Sequence, residues 1–169
     1  MTLEEARAAV TPWGLPRVEH DEDDGSATVF TACREIRVDV ALEEPGRVTA
    51  VELWWPGEGR RTGVRVLLDG DDVFTTPADH LLRRAQERGW TVDRSEPQYP
   101  FIPGASLGFT RETSQDVPRT SGGLPVHVTS VLVADEHYYE HRPGTAARPA
   151  SRRRGRVQEE GRRQHGPVA

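Results

Sequence analysis

The sequence predicts an α+β fold, in which an antiparallel twisted sheet of about five to seven strands carries one main helix on one face and a short N-terminal helix. Three observations favour this class. Apolar and polar residues alternate along several short segments, which is typical of half-buried strands. The segment from about 77 to 88 has apolar residues at helical spacing between start and stop signals. Short turns rich in Gly, Pro and acidic residues separate the strands, which favours antiparallel pairing.

The N-terminal part is predicted to form one helix and then strands. Residues 3–10 form the short helix, which Thr11-Pro12 ends. Residues 16–25 are interpreted as an exposed acidic loop. The strand-like run 28–33 follows, and then residues 36–42, 48–55 and 64–68 are expected to form a three-stranded meander. In the second of these, Trp54 and Trp55 are adjacent, so their side chains must lie on opposite faces of the sheet.

The main helix has the clearest sequence signals. Thr76 is predicted to be its N-cap and Pro77 its first residue, with Asp79 close to the free N–H groups of the first turn. Gly89 is placed to end the helix in a left-handed conformation. The apolar face consists of Ala78, Leu81, Leu82 and Ala85. The predicted N-cap, the apolar face and the terminating glycine all agree, so the sequence predicts a helix over residues 77–88.

After the helix the sequence predicts three more strands and then a tail. The strands are a short one at 90–93, another at 105–110, and one at 125–134 that is expected to be central because it is the most β-prone run. After His141 the apolar periodicity stops and Pro, Gly, Ala and Arg dominate. We therefore expect one globular domain over residues 1–142 and a disordered, Arg-rich tail over residues 143–169.

Charge separates the same two parts. Residues 1–142 hold 15 arginines against 25 acidic residues, a net charge of −10, whereas residues 143–169 hold 7 arginines against 2 glutamates, a net charge of +5. All 22 strongly basic residues are arginine. The acidic N-terminus has no signal peptide pattern, no apolar run is long enough to span a bilayer, and the single cysteine excludes an internal disulfide. We therefore expect a cytoplasmic protein with no membrane association.

The acidic body favours a non-enzymatic protein-binding function that uses an acidic surface against a basic partner. Two clusters are the candidate contacts: Asp69, Asp71 and Asp72 in a turn before the helix, and Glu22, Asp23 and Asp24 in the predicted acidic loop. The alternative interpretation is that both clusters are simply solvated surface, as most charged runs are. No phosphate-binding loop, dinucleotide motif or nucleophile elbow is present, and no cofactor is expected.

One segment allows an enzymatic alternative, a metal-dependent hydrolase. His137, Glu140 and His141 match H-x-x-E-H, in which two histidines at i and i+4 can hold Zn²⁺ on one helix face while the glutamate acts as a base. A third ligand is missing from the expected downstream region, where Glu159 and Glu160 are the only carboxylates. The competing interpretation is a chance match at the end of a strand.

The tail allows a second alternative, a nucleic-acid-associated accessory protein. Its arginines would contact phosphates without reading sequence. They are Arg152, Arg153, Arg154 and Arg156. The negative charge of the body argues against this role, because it repels a polyanion.

The stretch from Gly63 to Tyr139 resembles small uncharacterised actinobacterial proteins, some of which look like immunity proteins of polymorphic toxin systems. The resemblance lies in the acidic turn Leu68-Asp69-Gly70, the Pro-started helix closed by Gly89, the strand Leu107-Gly108-Phe109, and the run 130–134 leading into Tyr138-Tyr139. These motifs are structural. The resemblance therefore implies a binding function and assigns no catalytic residue.

Overall fold

The computed structural model describes residues 1–43, 46–60, 62–135 and 138, and it has the predicted α+β fold. Its main feature is a seven-stranded antiparallel sheet with strand order β1-β2-β3-β4-β9-β8-β7. The strands of this sheet are β1 (Arg17–His20), β2 (Ala27–Cys33), β3 (Ile36–Glu43), β4 (Arg47–Trp54), β7 (Phe101–Ile102), β8 (Leu107–Thr110) and β9 (Ser130–Ala134). A separate two-stranded ribbon pairs β5 (Leu67–Leu68) with β6 (Asp71–Asp72).

The apolar residues of the central strands lie on one face because their side chains alternate with period two. In β3 and its neighbours, Val38 stands opposite Leu53 and Val40 opposite both Val29 and Val51. The pairing of β3 with β4 shifts register between Ala41 and Leu42. Such a bulge adds one residue to one strand and locally increases its twist.

Both helices pack on this apolar face. Helix α1 (Leu3–Val10) buries Ala6 and Val10 against β2, β3 and β4, and Thr2 closes a capping box with Glu5 at its start. Helix α2 (Ala78–Glu87) buries its apolar stripe in a second cluster, which also contains residues of β3, β8 and β9. The two clusters form one apolar layer beneath the sheet.

The predicted limits of α2 are nearly right, but its predicted cap is wrong. Pro77 is the N-cap residue and makes no side-chain hydrogen bond, so Thr76 does not cap the helix. At the other end the prediction is confirmed. Gly89 has φ +90°, its N–H donates to Gln86 O, and the N–H of Trp90 donates to Ala85 O, which is the Schellman arrangement.

Four other predicted elements differ from the structure. The acidic segment 16–25 is not all loop, because residues 17–20 form the edge strand β1. Only Leu67 and Leu68 of the expected strand 64–68 pair, and they pair outside the main sheet. The segment 90–93 contributes a single bridge from Asp93 to Phe101. The strand predicted at 125–134 begins at Ser130, although it does lie in the sheet interior, between β4 and β8.

Candidate functional site

The predicted acidic cluster before α2 is largely neutralised within the chain. Each of its carboxylates pairs with an arginine: Asp69 with Arg88, Asp71 with Arg84, and Asp72 with Arg65. Two of these arginines belong to the end of α2, so the turn is tied to the helix that follows it. These contacts leave the cluster little net negative charge to offer a partner.

The second predicted cluster, Glu22, Asp23 and Asp24, lies in the turn between β1 and β2, and all three residues are exposed. Asp24 accepts a hydrogen bond from the backbone N–H of Ser26, and its hydrogen bonds with Ser26 lower the pKa of its carboxyl. Three acidic residues in succession thus lie at the surface of one turn. The end of the β1–β2 hairpin is therefore negatively charged and open to solvent.

The remaining predicted sites lie outside the described residues. These are the metal candidates His137, Glu140 and His141 and the tail arginines Arg152, Arg153, Arg154 and Arg156. Across the described ranges, no three His, Cys, Asp or Glu side chains are grouped as metal ligands would be. In the same ranges no helix combines the length and apolar character that crossing a membrane requires.

The sequence analysis missed a polar cluster on the sheet face opposite the helices. Strand register places Asp39 of β3 directly opposite Glu52 of β4, and in another row Arg37 lies opposite Trp54. Ser130 of β9 follows Trp54 in the same row. Charged side chains thus occupy the middle of the sheet, although charged residues are rarely buried unless they are paired.

Asp39 is the hub of this cluster. Its carboxylate accepts hydrogen bonds from Arg37 Nε at 2.7 Å and from Trp54 Nε1 at 2.9 Å, and the residue is only 6% exposed. Burial raises the pKa of Asp39, and the bonds from Arg37 and Trp54 partly offset that rise. Asp39 therefore fixes both the guanidinium and the indole in place.

Glu52 lies beside this hub and is bonded to a hydroxyl group. It is 4% exposed, and Ser130 Oγ donates a 2.6 Å hydrogen bond to its Oε1. Burial, reinforced by the negative charge of Asp39, raises the pKa of Glu52 to about 7, although the bond from Ser130 opposes the shift. Two carboxyl groups facing each other across central strands are destabilising when both are ionised. Glu52 is therefore the carboxyl group of this pair that binds a proton near neutral pH.

An open cavity of about 430 Å³ adjoins the cluster at the end of β2 and β3. Its lining includes Arg37, Trp54 and Trp55 together with Glu35 and Arg60. Arg60 Nη1 and Glu35 Oε2 are 3.2 Å apart. As predicted, the two tryptophans separate: Trp54 belongs to the polar face, whereas Trp55 packs against the α2 core cluster while its other side reaches the cavity.

A weak signal for this cluster was present in the sequence. Arg37 and Asp39 occupy the polar positions of the 36–42 alternation, and Glu52 stands between apolar neighbours next to the tryptophan pair. Only the pairing register shows that Asp39 and Glu52 face each other. Alternation alone therefore suggests solvent-facing residues where the structure has buried ones.

A scan against protein-family models and searches of curated proteins and of solved structures found no match for this chain. The fold and the sites define the class: an α+β protein with a one-sided helical layer, an acidic hairpin end and a polar cluster on its helix-free face. The resemblance to immunity proteins stays a prediction.

Proposed function

We propose that this is a non-enzymatic protein-binding protein whose acidic surface contacts a basic protein partner. The observation that carries the proposal is the acidic turn at residues 22–24, which continues directly from an edge strand with an open backbone edge. Negative charge attracts and orients a basic partner, and the open edge supplies backbone groups for it to pair with.

The open edge follows from the hydrogen-bond pattern of β1. The N–H of Asp21 donates to Ser26 O, which marks that pair as a hydrogen-bonded one. Hydrogen-bonded and non-bonded pairs alternate in antiparallel strands, so Val18 and His20 direct their backbone groups away from β2. No described residue pairs with that outer edge, because β1 is the last strand on its side of the sheet.

Side chains at both ends of β1 suit a binding surface. The acidic turn follows the strand, and Leu15, which precedes it, is 90% exposed. Trp13 is also exposed, and tryptophans are enriched among residues that dominate binding interfaces. A partner strand along β1 would therefore meet apolar contacts at one end and negative charge at the other.

The specific form of the proposal is an immunity or inhibitor protein that acts in the cytoplasm on a toxin with a basic, nuclease-type surface. The acidic body and the resemblance of residues 63–139 support it. Asp69, Asp71 and Asp72 stay candidate contacts, although each is paired with an arginine. We therefore place the main contact at residues 22–24 and the β1 edge.

A defined peptide tests this surface in place of a natural partner. The probe is an extended peptide that alternates arginine with threonine and valine, titrated into ¹⁵N-labelled full-length protein. We expect the amides of Val18 and His20 to shift and to become protected from hydrogen exchange, because they would gain partners. Binding should weaken as salt rises, since exposed charges are screened.

Matched variants decide whether the proposed surface is responsible. Neutralising the hairpin end with Glu22→Gln, Asp23→Asn and Asp24→Asn should weaken peptide binding about tenfold, because each exposed charge contributes about 0.5 kcal/mol. The control neutralises Asp69, Asp71 and Asp72 to Asn and should change binding by less than about twofold, because their arginine partners already offset their charge. Equal losses from both triple variants, or unchanged binding of a peptide N-methylated on its protein-facing amides, would refute the proposed surface.

A further inference from the structure

The cavity beside the polar cluster lies at the opposite end of β2 from the acidic turn. It is bordered by the β2–β3 hairpin, by the end of β4 and by the loop after it. Its volume of about 430 Å³ is within the range of cavities that hold small molecules. Its chemistry differs from that of the acidic hairpin end, because arginine and tryptophan predominate.

Arg37 lies in the wall of this cavity, and contacts with neighbouring side chains fix the position of its guanidinium group. Its Nε donates to Asp39, and its guanidinium lies 4.9 Å from the ring centre of Phe30 and 5.8 Å from that of Trp54. These contacts leave Nη1 and Nη2 without a hydrogen-bond acceptor among the described residues, and the side chain is 51% exposed. A guanidinium whose two Nη groups are positioned and unpaired is suited to bidentate recognition of a carboxylate or phosphate.

Other residues add positive charge and an apolar wall. Arg60 also lines the cavity, and its ion pair with Glu35 is exposed, so it can exchange that partner for a ligand at little cost. Arg34 reaches the same loop, where its Nη1 lies beside Gly63. Trp55 and Pro56 supply the apolar wall. Arg34, Arg37 and Arg60 outnumber by one the two carboxylates paired with them, those of Asp39 and Glu35.

The backbone at the mouth of the cavity is strained. Arg34 and Glu35, the two turn residues between β2 and β3, have φ values of +44° and +76°. Such turns normally use Gly, Asn or Asp, since other residues are strained in the left-handed region. Strained residues are concentrated at functional sites. Here this turn places Glu35 in the cavity wall.

We propose that this cavity binds a carboxylate or phosphate group attached to a planar ring, with the two Nη groups of Arg37 on the anion and the ring against Trp55 and Pro56. Asp39 acts as a positioning residue, because it fixes Arg37 from behind. The proposal goes beyond the protein-binding function, since it uses a different end of the sheet and a ligand of opposite charge.

Three small probes test the chemistry: benzoate, phenyl phosphate, and benzyl alcohol as the neutral control. Each is titrated into the full chain, and the indole N–H signals of Trp54 and Trp55 are followed by NMR. We expect at least one anion to shift both signals with saturation while benzyl alcohol does not. Saturation by benzoate alone would identify a carboxylate ligand, by phenyl phosphate alone a phosphate ligand, and by both a general anion site.

Variants connect binding to the named residues. Arg37→Lys keeps the positive charge but loses the two Nη groups of the guanidinium. It should weaken binding at least about tenfold. Arg65→Lys, an exposed arginine on another part of the surface, should leave binding unchanged. Because Arg37 also pairs with buried Asp39, its variant is first checked for a native amide spectrum. Ala32→Glu, at an exposed wall position, provides an independent test that leaves the hub intact, and it should abolish anion binding.

Three results would overturn the proposal: no saturable shift with either anion, equal binding of benzyl alcohol, or equal losses in the Arg37 and Arg65 variants. None of them bears on the β1 edge, because the peptide experiment follows amides at the other end of β2. The two proposals can therefore fail separately.

Discussion

The two faces of the sheet bury different kinds of side chain. The helix-covered face excludes water with aliphatic side chains, so its stability depends on volume and packing. The helix-free face buries Asp39 and Glu52 beside a small apolar cluster, so its stability also depends on specific hydrogen bonds and on protonation. The first face needs only apolar residues of suitable size. The second needs particular residues, and this difference identifies it as the place where side-chain identity matters most.

The largest effect should come from the helix-covered face. Leu82 of α2 is almost fully buried in the core cluster. Leu82→Ala should lower the free energy of unfolding by about 2–5 kcal/mol, because apolar contacts are lost and a cavity remains. Urea unfolding at pH 6 and pH 8 measures it. The loss should be the same at both pH values, and a pH-dependent loss would show that the two faces are not independent.

The helix-free face should respond to pH instead. Because the pKa of Glu52 is raised from 4.5 to about 7, the folded state binds its proton more tightly than the unfolded chain does. This contribution is fully present below pH 4.5 and is lost as the pH rises to about 7, a difference of about 3 kcal/mol. Glu52→Gln should remove this dependence and raise the free energy of unfolding at pH 8, as measured by urea unfolding at a series of pH values.

The matched control for Glu52 is Glu96→Gln, which neutralises an exposed glutamate. It should leave the pH profile of stability unchanged between about pH 5 and pH 8, because it leaves the buried contacts of Glu52 intact. If the Glu52→Gln and Glu96→Gln variants both show the same profile as the parent protein, Glu52 is not the titrating group.

A smaller effect is expected from removing one bond at the hub. Trp54→Phe keeps a ring on the polar face but removes the Nε1–H that donates to Asp39. Hydrogen bonds to charged groups contribute about 1.5–3 kcal/mol, so a loss in that range is expected on urea unfolding. The pKa of Asp39 should also rise further, since this bond lowers it. Trp90→Phe, at an exposed indole, is the control and should cost less than about 0.5 kcal/mol.

The smallest effect should follow Ser130→Ala. The Oγ of Ser130 donates to Glu52, and its loss should cost about 1 kcal/mol above about pH 7, where the carboxylate is ionised. The midpoint of the Glu52 titration should move upward, because the Ser130 bond holds it down. NMR titration of the Glu52 side-chain carboxyl measures this midpoint, and a downward movement would contradict the assignment of donor and acceptor.

Local signals predict the elements that local interactions determine. Helix α2 follows from its apolar spacing and from Gly89, and β2 to β4 follow from alternation and short turns. Strand β1 was not predicted because its acidic surroundings resemble a loop, yet an edge strand tolerates charge on its exposed sides. The expected strand at 64–68 is mostly unpaired because pairing needs a neighbour, which local propensity does not provide.

The candidate site was less accessible to prediction than the fold. The acidic turn at 22–24 is visible in the sequence as a charged run, whereas the pairing of Asp39 with Glu52 depends on register between strands. The neutralisation of Asp71 depends on Arg84, thirteen residues away on α2. Both contacts join residues that are separated along the sequence. A single sequence names these residues but does not show which of them meet.

The interior position of β9 has a consequence for synthesis on the ribosome. β4 ends at Trp54, but its partner on that side begins only at Ser130. While the intervening chain is being made, the outer edge of β4 has no native neighbour, and Glu52 has not yet met Ser130. The nascent protein therefore passes through a stage in which its first four strands expose a second open edge. Chaperones that bind unpaired strands are expected to act mainly during that interval.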